Sequence, residues 1–388
     1  MTRISLLERS TGRTGQRLRL LFGSSRFGPR RARLAPLRLL LCTTRPDLPT
    51  AQINFLRPMQ PWVEAGALGL WQATDRSVPR DSPGNWLGWI VDYLAPHAVL
   101  VCRDFAAASD ILRLARAKGV PLIYHIDDDM TQEPPRASWD ELKRPRSMGQ
   151  LDRVGRYLEG ADLVYFSNDR LATHLGSRVG KRSVTAGIPA AAVTRPAART
   201  RPYAAMKFGY MGGSSHSADL AVAAEGIQAL MAARPDISFE IFGQIALPPL
   251  LAQSRIVRHQ AHGDYAAFLD RLNTLGWDFA IAPLASHPFN ECKSEVKWVE
   301  YAGAGIPALY SDCAVYRNCA GDGAGLLVAD DGWSAALRRM ADDVPLRHEI
   351  ATAASEKVAR FYTSQRMRGQ LRALFLEAGV ANAERLVP

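Results

Sequence analysis

Short apolar runs alternate with longer segments of helical periodicity from Leu37 onward. Strands that alternate with helices form a parallel sheet covered by helices on both faces. The first half of the chain therefore predicts one open α/β domain. Its predicted strands span residues 37–43, 69–73, 98–103, 121–126, 161–167 and 183–186, and its predicted helices span 86–94, 109–118 and 170–175.

The alternation stops near residues 190–202, where Ala, Arg, Thr and Pro follow one another without a period, as in a linker. It then restarts. Strands are predicted at 207–211, 238–242, 256–257, 279–283, 308–311 and 325–329, and helices at 218–233, 265–275, 295–304 and in three segments after residue 332. The sequence thus predicts an α/β fold with two Rossmann-like open parallel-sheet domains at 37–195 and 203–375, a leader at 1–36 and a C-terminal tail at 376–388.

Positive charge is concentrated at the start of the chain. The sequence has 48 Lys and Arg against 38 Asp and Glu, a net charge of +10, but residues 1–38 contain ten of the arginines and one glutamate. The remaining residues are nearly neutral. Since nucleic-acid binding needs basic residues clustered on the folded domain, we expect no nucleic-acid partner.

The basic leader, residues 1–36, has no sustained period and is interrupted by glycines, so one long helix is not expected. A disordered extension, or a start codon placed too early, is one interpretation. An Arg-rich, acid-poor composition is also typical of organellar transit peptides. Peripheral contact with anionic lipid is the functional alternative.

Membrane-spanning and disulfide-rich classes are excluded by composition. No run approaches the roughly 18 apolar residues that a spanning helix needs. The five cysteines form no CxxC pair, which argues against a disulfide framework or a structural zinc site. The expected location is the cytoplasm, with the inner face of the cytoplasmic membrane as the alternative that the leader raises.

A glycine-rich segment opens the second domain. A predicted strand runs into Gly212 and Gly213, which Ser214 and His216 follow before a helix that Ser217 is placed to cap. Paired glycines let backbone N–H groups approach a phosphate closely. His216 is a candidate for contact with a phosphate or a sugar. The alternative is an ordinary structural turn.

A second candidate lies in the segment Asn290 to Pro307, where Ser294 is a plausible N-cap of the helix. At about 100° per residue, Lys293, Lys297 and Glu300 lie within about 60° of one another on a helix. Two ammonium groups suit a diphosphate, and a carboxylate suits a pair of ribose hydroxyls. A solvated stripe of charge is the alternative.

The pattern Asn-x-x-Lys-Ser-x-x-Lys-x-x-Glu-Tyr-x-x-x-Gly-x-Pro, from Asn290 to Pro307, resembles the donor-binding segment of retaining GT-B glycosyltransferases of group 1, the family 4-like enzymes. Three further segments resemble the same family in the same order, and the resemblance covers about residues 37–375. These are Ile123–Met130, Phe208–Leu220 and Gly323–Asp330.

This resemblance implies that the two domains face each other across a cleft, with a nucleotide-sugar donor on the second and a glycan or lipid-linked acceptor on the first. Glu300 is then expected on the ribose. The residues expected around the rest of the donor are Gly212, Gly213, Ser214, His216, Asn290, Lys293, Ser294 and Lys297.

The implied activity is transfer of a sugar from a nucleoside-diphosphate-sugar to a hydroxyl group, with retention, in cell-envelope polysaccharide or glycolipid synthesis. No metal or other cofactor is expected. The family commonly has a glutamate where this chain has Cys292, and Glu291 is one place off. Cys292 therefore raises a non-catalytic nucleotide-sugar-binding protein as one alternative. A GT-B-like sugar-nucleotide epimerase, which would share the donor cleft and need no acceptor, is another.

Three consecutive aspartates, Asp127 to Asp129, follow a predicted strand of the first domain. Asp-x-Asp binds metal in the other major glycosyltransferase fold. Orientation of an acceptor hydroxyl and a solubilising strand end are the other interpretations. Asp127 and Asp128 are catalytic candidates together with His125, which alternates with Asp127 on one face of the strand; a packed core histidine is the alternative for His125.

Overall fold

The computed structural model describes residues 29–140, 145–193, 206–252, 255–261 and 264–388. The chain divides into two compact units. The first comprises the residues up to Thr131 with Ser147–Ala186 and Arg368–Pro388, and the second comprises Gln132–Arg146 and Gly187–Met367. Among the described residues, no helix is both long and apolar enough to span a membrane.

A six-stranded parallel sheet in the order β2-β1-β3-β4-β5-β6 forms the centre of the first unit. Its strands are β1 (Leu37–Thr43), β2 (Leu68–Thr74), β3 (Ala98–Cys102), β4 (Leu122–Ile126), β5 (Leu163–Phe166) and β6 (Ser183–Thr185). Its helices are α1 (Pro29–Leu34), α2 (Pro49–Ala51), α3 (Arg57–Glu64), α4 (Pro83–Leu94), α5 (Ala108–Lys118), α6 (Met148–Gly160) and α7 (Asp169–Leu175), with a π-helical turn (Gln52–Leu56) between α2 and α3.

The central strands are buried on both faces, which is why they are continuous apolar runs in the sequence. β3 and β4 are buried at every position. Helix α5 ends at Gly119, whose φ of 62° is left-handed, as expected for a glycine after a helix.

The end of the predicted leader is part of this unit. Residues 1–28 lie outside the described residues, but α1 packs on strand β2 at Gly69. A Cβ at Gly69 would lie 1.9 Å from the carbonyl oxygen of Ala32, so only glycine allows this approach. The folded part of the chain therefore begins before Leu37, because β2 needs α1 as a cover.

The last residues of the chain also differ from the predicted tail. Val380, Ala383 and Leu386 lie in the core of the first unit. The Trp62 indole donates a hydrogen bond to the carbonyl oxygen of Val387 at 2.6 Å. The C-terminal segment is therefore a structural part of the first unit, because its apolar side chains complete that core.

This arrangement predicts a measurable difference between two neighbouring residues. Leu386 is 2% exposed and Val387 is 76% exposed. We expect Leu386→Ala to lower the free energy of unfolding by about 2–4 kcal/mol, since it leaves a cavity in the core. Val387→Ala is the control, and its effect should stay within about 0.5 kcal/mol. Urea denaturation measures both, and equal effects would contradict the placement of the C-terminus.

The second unit has its own six-stranded parallel sheet, in the order β12-β11-β10-β7-β8-β9. Its strands are β7 (Lys207–Gly212), β8 (Ser238–Gly243), β9 (Ile256–His259), β10 (Phe279–Ala282), β11 (Ala308–Ser311) and β12 (Leu326–Val328). Its helices are α8 (Ser217–Ala221), α9 (Ala224–Ala233), α10 (Tyr265–Leu275), α11 (Pro288–Glu291), α12 (Val296–Gly303), α13 (Arg317–Ala320), α14 (Trp333–Asp342) and α15 (Val344–Phe361), and α16 (Ser364–Glu377) continues into the first unit.

The helix predicted at 218–233 is divided into α8 and α9 by a turn at Val222 and Ala223. The Ser217 side chain does not cap α8 as predicted. Its hydroxyl instead donates to the carbonyl oxygen of Ser214 at 3.3 Å and accepts from the amide of Ala246 at 3.1 Å. Ser217 thus ties the glycine-rich segment to the loop after β8.

Candidate functional site

The candidate donor residues lie at the carboxyl ends of β7 and β10, in the second unit. In open parallel sheets, ligands bind at this edge. β7 leads into a short 3₁₀ turn, Ser214–His216, and β10 leads through a loop into α11 and α12. Because β7 and β10 are parallel neighbours in the sheet, their carboxyl ends lie side by side although Gly212 and Ala282 are 70 residues apart in sequence.

Close backbone contacts make the glycines at the end of β7 necessary. Gly212 pairs with Gly243 of β8, whose φ is 122°. A Cβ at Gly243 would lie 2.1 Å from the carbonyl oxygen of Gly212. A Cβ at Gly212 would lie 3.2 Å from the ring of His216, and Gly213 beside it is exposed. The glycines therefore leave room for the histidine against the backbone.

Asp219, on α8, organises this region although its side chain is fully buried. One carboxylate oxygen accepts hydrogen bonds from the amide of Ala285 at 3.0 Å and from Nδ2 of Asn290 at 2.7 Å. The other accepts from Nδ1 of His216 at 2.7 Å and lies 3.9 Å from Nζ of Lys293. Burial opposes ionisation, but these donors hold the pKa of Asp219 below its usual value.

Two lysines lie beside this carboxylate. Nζ of Lys293 is 3.3 Å from Nδ1 of His216 and 5.4 Å from the ring centroid of Phe289. Nζ of Lys297 lies 4.5 Å from the ring centroid of Tyr210. Burial and the charge of Lys293 lower the pKa of Lys297 to about 7. The lysines thus concentrate positive charge where the protein has little water to screen it.

Glu300 lies one turn after Lys297 on α12. The hydroxyl of Tyr265, on α10, donates a hydrogen bond to its carboxylate at 3.0 Å. Burial raises the pKa of Glu300 to about 7, although this hydrogen bond and Lys297 favour the charged form. The carboxylate is held in place by Tyr265 and still has lone pairs for other donors.

Three predicted details at this edge differ in the structure. Lys293 lies in the turn before α12 and not on the helix face, although it still meets His216. Ser294 does not cap α12: its N-cap residue is Glu295, and no side chain caps it. Asn290 is 1% exposed, and its Nδ2 donates hydrogen bonds to Asp219 and to the carbonyl oxygen of Ala285. It therefore stabilises the loop after β10 and has no exposed surface for contact with a nucleotide-sugar.

Cys292, at the position where the family commonly has a glutamate, is 4% exposed. Glu291 beside it is exposed at the end of α11. The position where the family commonly has a glutamate is therefore taken by a buried thiol, and the neighbouring glutamate is exposed.

In the first unit, Asp127 lies just past the end of β4. Its carboxylate accepts a hydrogen bond from the hydroxyl of Thr50 and lies 3.1 Å from Nη1 of Arg103. Burial would raise the pKa of Asp127, but Arg103 outweighs it and the pKa is lowered. Arg103 has a φ of 64°, a strained conformation for a non-glycine residue, and it lies beside this carboxylate.

The other two aspartates have separate roles. Asp128 is partly exposed and lies 3.7 Å from Arg103. Asp129 is buried, accepts hydrogen bonds from the amide and hydroxyl of Thr131, and pairs with His174 at 3.0 Å. Within the described part of the chain, no group of three or more His, Cys, Asp or Glu side chains is arranged to hold a metal ion.

His125 lies in the core, which corrects its selection as a catalytic candidate. The imidazole is fully buried between Phe55 and Tyr165, at ring-centroid distances of 5.2 and 5.0 Å. Its Nδ1 donates a hydrogen bond to the carbonyl oxygen of Tyr165 at 2.9 Å. Burial lowers its pKa to about 4, so it is neutral and has no surface with which to touch an acceptor.

Sequence reasoning did not assign roles to Asp219, Tyr265, Tyr210 or Arg103. The signal for Asp219 was its spacing, three residues after His216 on the first turn of a helix, where two side chains meet. For Arg103 it was its place directly after an apolar strand, at the binding edge of the sheet. Tyr265 and Tyr210 carried no comparable local signal.

Solved structures with the same fold are glycosyltransferases. HepE of Anabaena, in complex with UDP and glucose, matches 88% of this chain and all of its own at 11% identity, with a TM-score of 0.60. Sucrose-phosphate synthase from Thermosynechococcus elongatus matches 89% of this chain and all of its own at 14% identity, with a TM-score of 0.63. The pneumococcal O-GlcNAc transferase GtfA, in complex with UDP and GlcNAc, matches 76% of this chain and 60% of its own at 11% identity, with a TM-score of 0.54.

The amino-acid sequence matches no family model, and it matches no curated protein sequence. At these identities the structural likeness establishes the fold. The protein has the GT-B fold of the glycosyltransferases, and the predicted fold class of two Rossmann-like parallel-sheet domains is confirmed.

Proposed function

We propose that the protein is a glycosyltransferase that moves a sugar from a nucleoside-diphosphate-sugar to a hydroxyl group of an acceptor. The observation that carries the proposal is the cluster of Lys293, Lys297 and Glu300 beside the glycines that end β7. It combines buried positive charge, accessible backbone and a fixed carboxylate at the binding edge of one sheet. These groups match a diphosphate and a ribose in charge and in hydrogen-bonding capacity.

The proposed chemistry depends on the leaving group. When the bond between the sugar and the diphosphate breaks, negative charge grows on the phosphate oxygens. Lys293 and Lys297 stabilise that charge from positions fixed by Asp219 and Tyr210. Because the lysines are already oriented, little reorganisation is needed during the reaction. No metal ion is assigned to this step.

The structural neighbours favour transfer over the epimerase and the non-catalytic protein considered from the sequence, since those named above are transferases or a synthase. HepE was solved with UDP-glucose and GtfA with UDP and GlcNAc. UDP-sugars are therefore the first donors to test, with retention of configuration as the expected outcome.

The acceptor is assigned to the first unit, at Asp127 and Asp128. Asp127 is ionised and held by Arg103 and Thr50, so it suits the orientation of an acceptor hydroxyl by accepting its hydrogen bond. A glycan or lipid-linked acceptor of cell-envelope polysaccharide or glycolipid synthesis fits this chemistry. Residues 1–36, which contain nine arginines and one glutamate, are the proposed peripheral contact with anionic lipid.

Calorimetry with UDP and GDP, in the presence of EDTA, tests the donor site directly. We expect one nucleotide to bind with a 1:1 stoichiometry and to raise the melting temperature by mass action. Transfer of labelled glucose or N-acetylglucosamine to glycan and lipid acceptors then tests the reaction, with product configuration read by NMR. Absence of nucleotide binding would contradict the proposed function, and binding without transfer or hydrolysis would support a non-catalytic protein.

A further inference from the structure

The hydrogen-bonding capacity of Asp219 determines which nitrogen of His216 carries its hydrogen. An ionised carboxylate only accepts hydrogen bonds. Since the Asp219 oxygen lies 2.7 Å from Nδ1 of His216, the hydrogen must be on Nδ1. The same nitrogen is 3.3 Å from Nζ of Lys293, but it has no lone pair left to accept from that ammonium. The neutral imidazole therefore keeps its only lone pair on Nε2.

The charges around His216 keep it neutral. Lys293 and Lys297 both oppose a further positive charge on the ring, and Asp219, which favours it, does not outweigh them. Burial acts in the same direction as the lysines and is the largest cause of a pKa lowered to about 3. Nε2 is consequently an acceptor of hydrogen bonds at neutral pH.

The position of the ring places this acceptor at the donor site. The edge atom Cδ2, bonded to Nε2, lies 3.2 Å from where a Cβ of Gly212 would be. The side chain of His216 is 20% exposed, so the ring is not closed off from a ligand. A phosphate oxygen without a hydrogen has nothing to donate to Nε2, whereas a hydroxyl group does.

We propose that Asp219 is a positioning residue that fixes His216 as a hydrogen-bond acceptor, and that His216 recognises a hydroxyl group of the donor's sugar instead of its phosphates. This assignment rests on the proposed function. The residues of the site then have separate roles. Lys293 and Lys297 bind the diphosphate, and His216 distinguishes a nucleotide that carries a sugar from one that does not.

Nitrogen-15 NMR of the imidazole tests the role of Asp219 without any ligand. We expect the His216 signals of the unaltered protein to show hydrogen on Nδ1. In Asp219→Asn, the oxygen must still accept from Ala285 and Asn290, so the amide nitrogen faces His216 and donates to Nδ1. The hydrogen of the imidazole then moves to Nε2. Hydrogen on Nε2 in the unaltered protein would overturn the assignment, even if the variant does not fold.

Calorimetry with UDP and UDP-glucose tests what His216 contacts. We expect His216→Phe, which keeps a ring and loses both nitrogens, to bind UDP-glucose about tenfold more weakly and UDP unchanged. His216→Gln should recover part of the loss, because its Oε1 can accept at the position of Nε2. Asp219→Asn should weaken binding of UDP-glucose by a larger factor than binding of UDP, because Nε2 then donates and the sugar hydroxyl must turn to accept. Some loss for UDP is expected as well, since Asp219 also lies beside Lys293. Melting temperatures and circular dichroism check that each variant folds.

Equal losses for UDP and UDP-glucose in His216→Phe would show a contact with the part that both compounds share, the phosphates or the ribose, and would overturn the assignment to a hydroxyl group of the transferred sugar. Failure of the unaltered protein to bind either compound or any other nucleotide would overturn the proposed function, and the hydroxyl contact with it. The NMR experiment still decides the role of Asp219 in that case, because it needs no nucleotide.

Discussion

Lys297→Met is expected to lower kcat/KM for sugar transfer by about 10²- to 10³-fold, the loss typical of removing one preorganised group that stabilises developing charge. Methionine removes the ammonium that lies over the Tyr210 ring but keeps an apolar stem of similar length, and its sulfur can also pack against an aromatic ring. Because Lys297 carries a charge that burial disfavours, its loss should not lower the melting temperature.

Lys357→Met is the matched control. This lysine lies on α15 of the same unit and donates to the carbonyl oxygen of Asn318 at 2.7 Å, a contact with no part in the proposed site. We expect its kcat/KM to stay within about twofold of the unaltered protein. If Lys297→Met and Lys357→Met both transfer sugar at the rate of the unaltered protein, the placement of the diphosphate beside Lys297 is contradicted.

The strands were predictable because their information is local. β1, β11 and α10 begin and end at the predicted residues. β1 and β11 are mostly apolar and are buried on both faces except at Arg38, and α10 starts directly after its N-cap residue, Asp264. Such elements need no knowledge of distant partners.

The helical region around α2 and α3 was not predictable in the same way. Pro58 and Pro61 lie in α3, where proline normally argues against a helix. A π-helical turn, Gln52–Leu56, precedes α3 and shifts the periodicity of the apolar positions. Phe55 and Met59 are nevertheless fully buried, so packing against the first sheet outweighs local preference.

In the candidate site, too, residues related by local spacing were predicted, and residues that depend on distant partners were not. Lys297 and Glu300 were found because they are one helical turn apart on the same helix. Asp219 was missed because it bonds Ala285 and Asn290, 66 and 71 residues later in the chain. His125 was misplaced because alternation along a strand gives the face of a side chain and not what packs against that face.

Binding of UDP-glucose is expected to have a bell-shaped dependence on pH with its maximum near 7. Lys297 has a pKa lowered to about 7, so its ammonium is lost as the pH rises and attraction to the diphosphate is lost with it. Glu300 has a pKa raised to about 7, so its carboxylate is protonated as the pH falls and accepts fewer hydrogen bonds from the ribose. His216, with a pKa lowered to about 3, stays neutral throughout this range.

Measuring the affinity for UDP-glucose between pH 5 and pH 9 separates the effect of Lys297 from that of Glu300. We expect a decrease of about tenfold on each side of the maximum, which corresponds to about one pKa unit of differential interaction. Glu300→Gln should remove the decrease at acidic pH, and Lys297→Met the decrease at basic pH. UDP-glucose suits this measurement because its diphosphate is esterified at both ends and does not titrate in the range. A profile that both variants leave unchanged would show that neither Lys297 nor Glu300 contacts the donor.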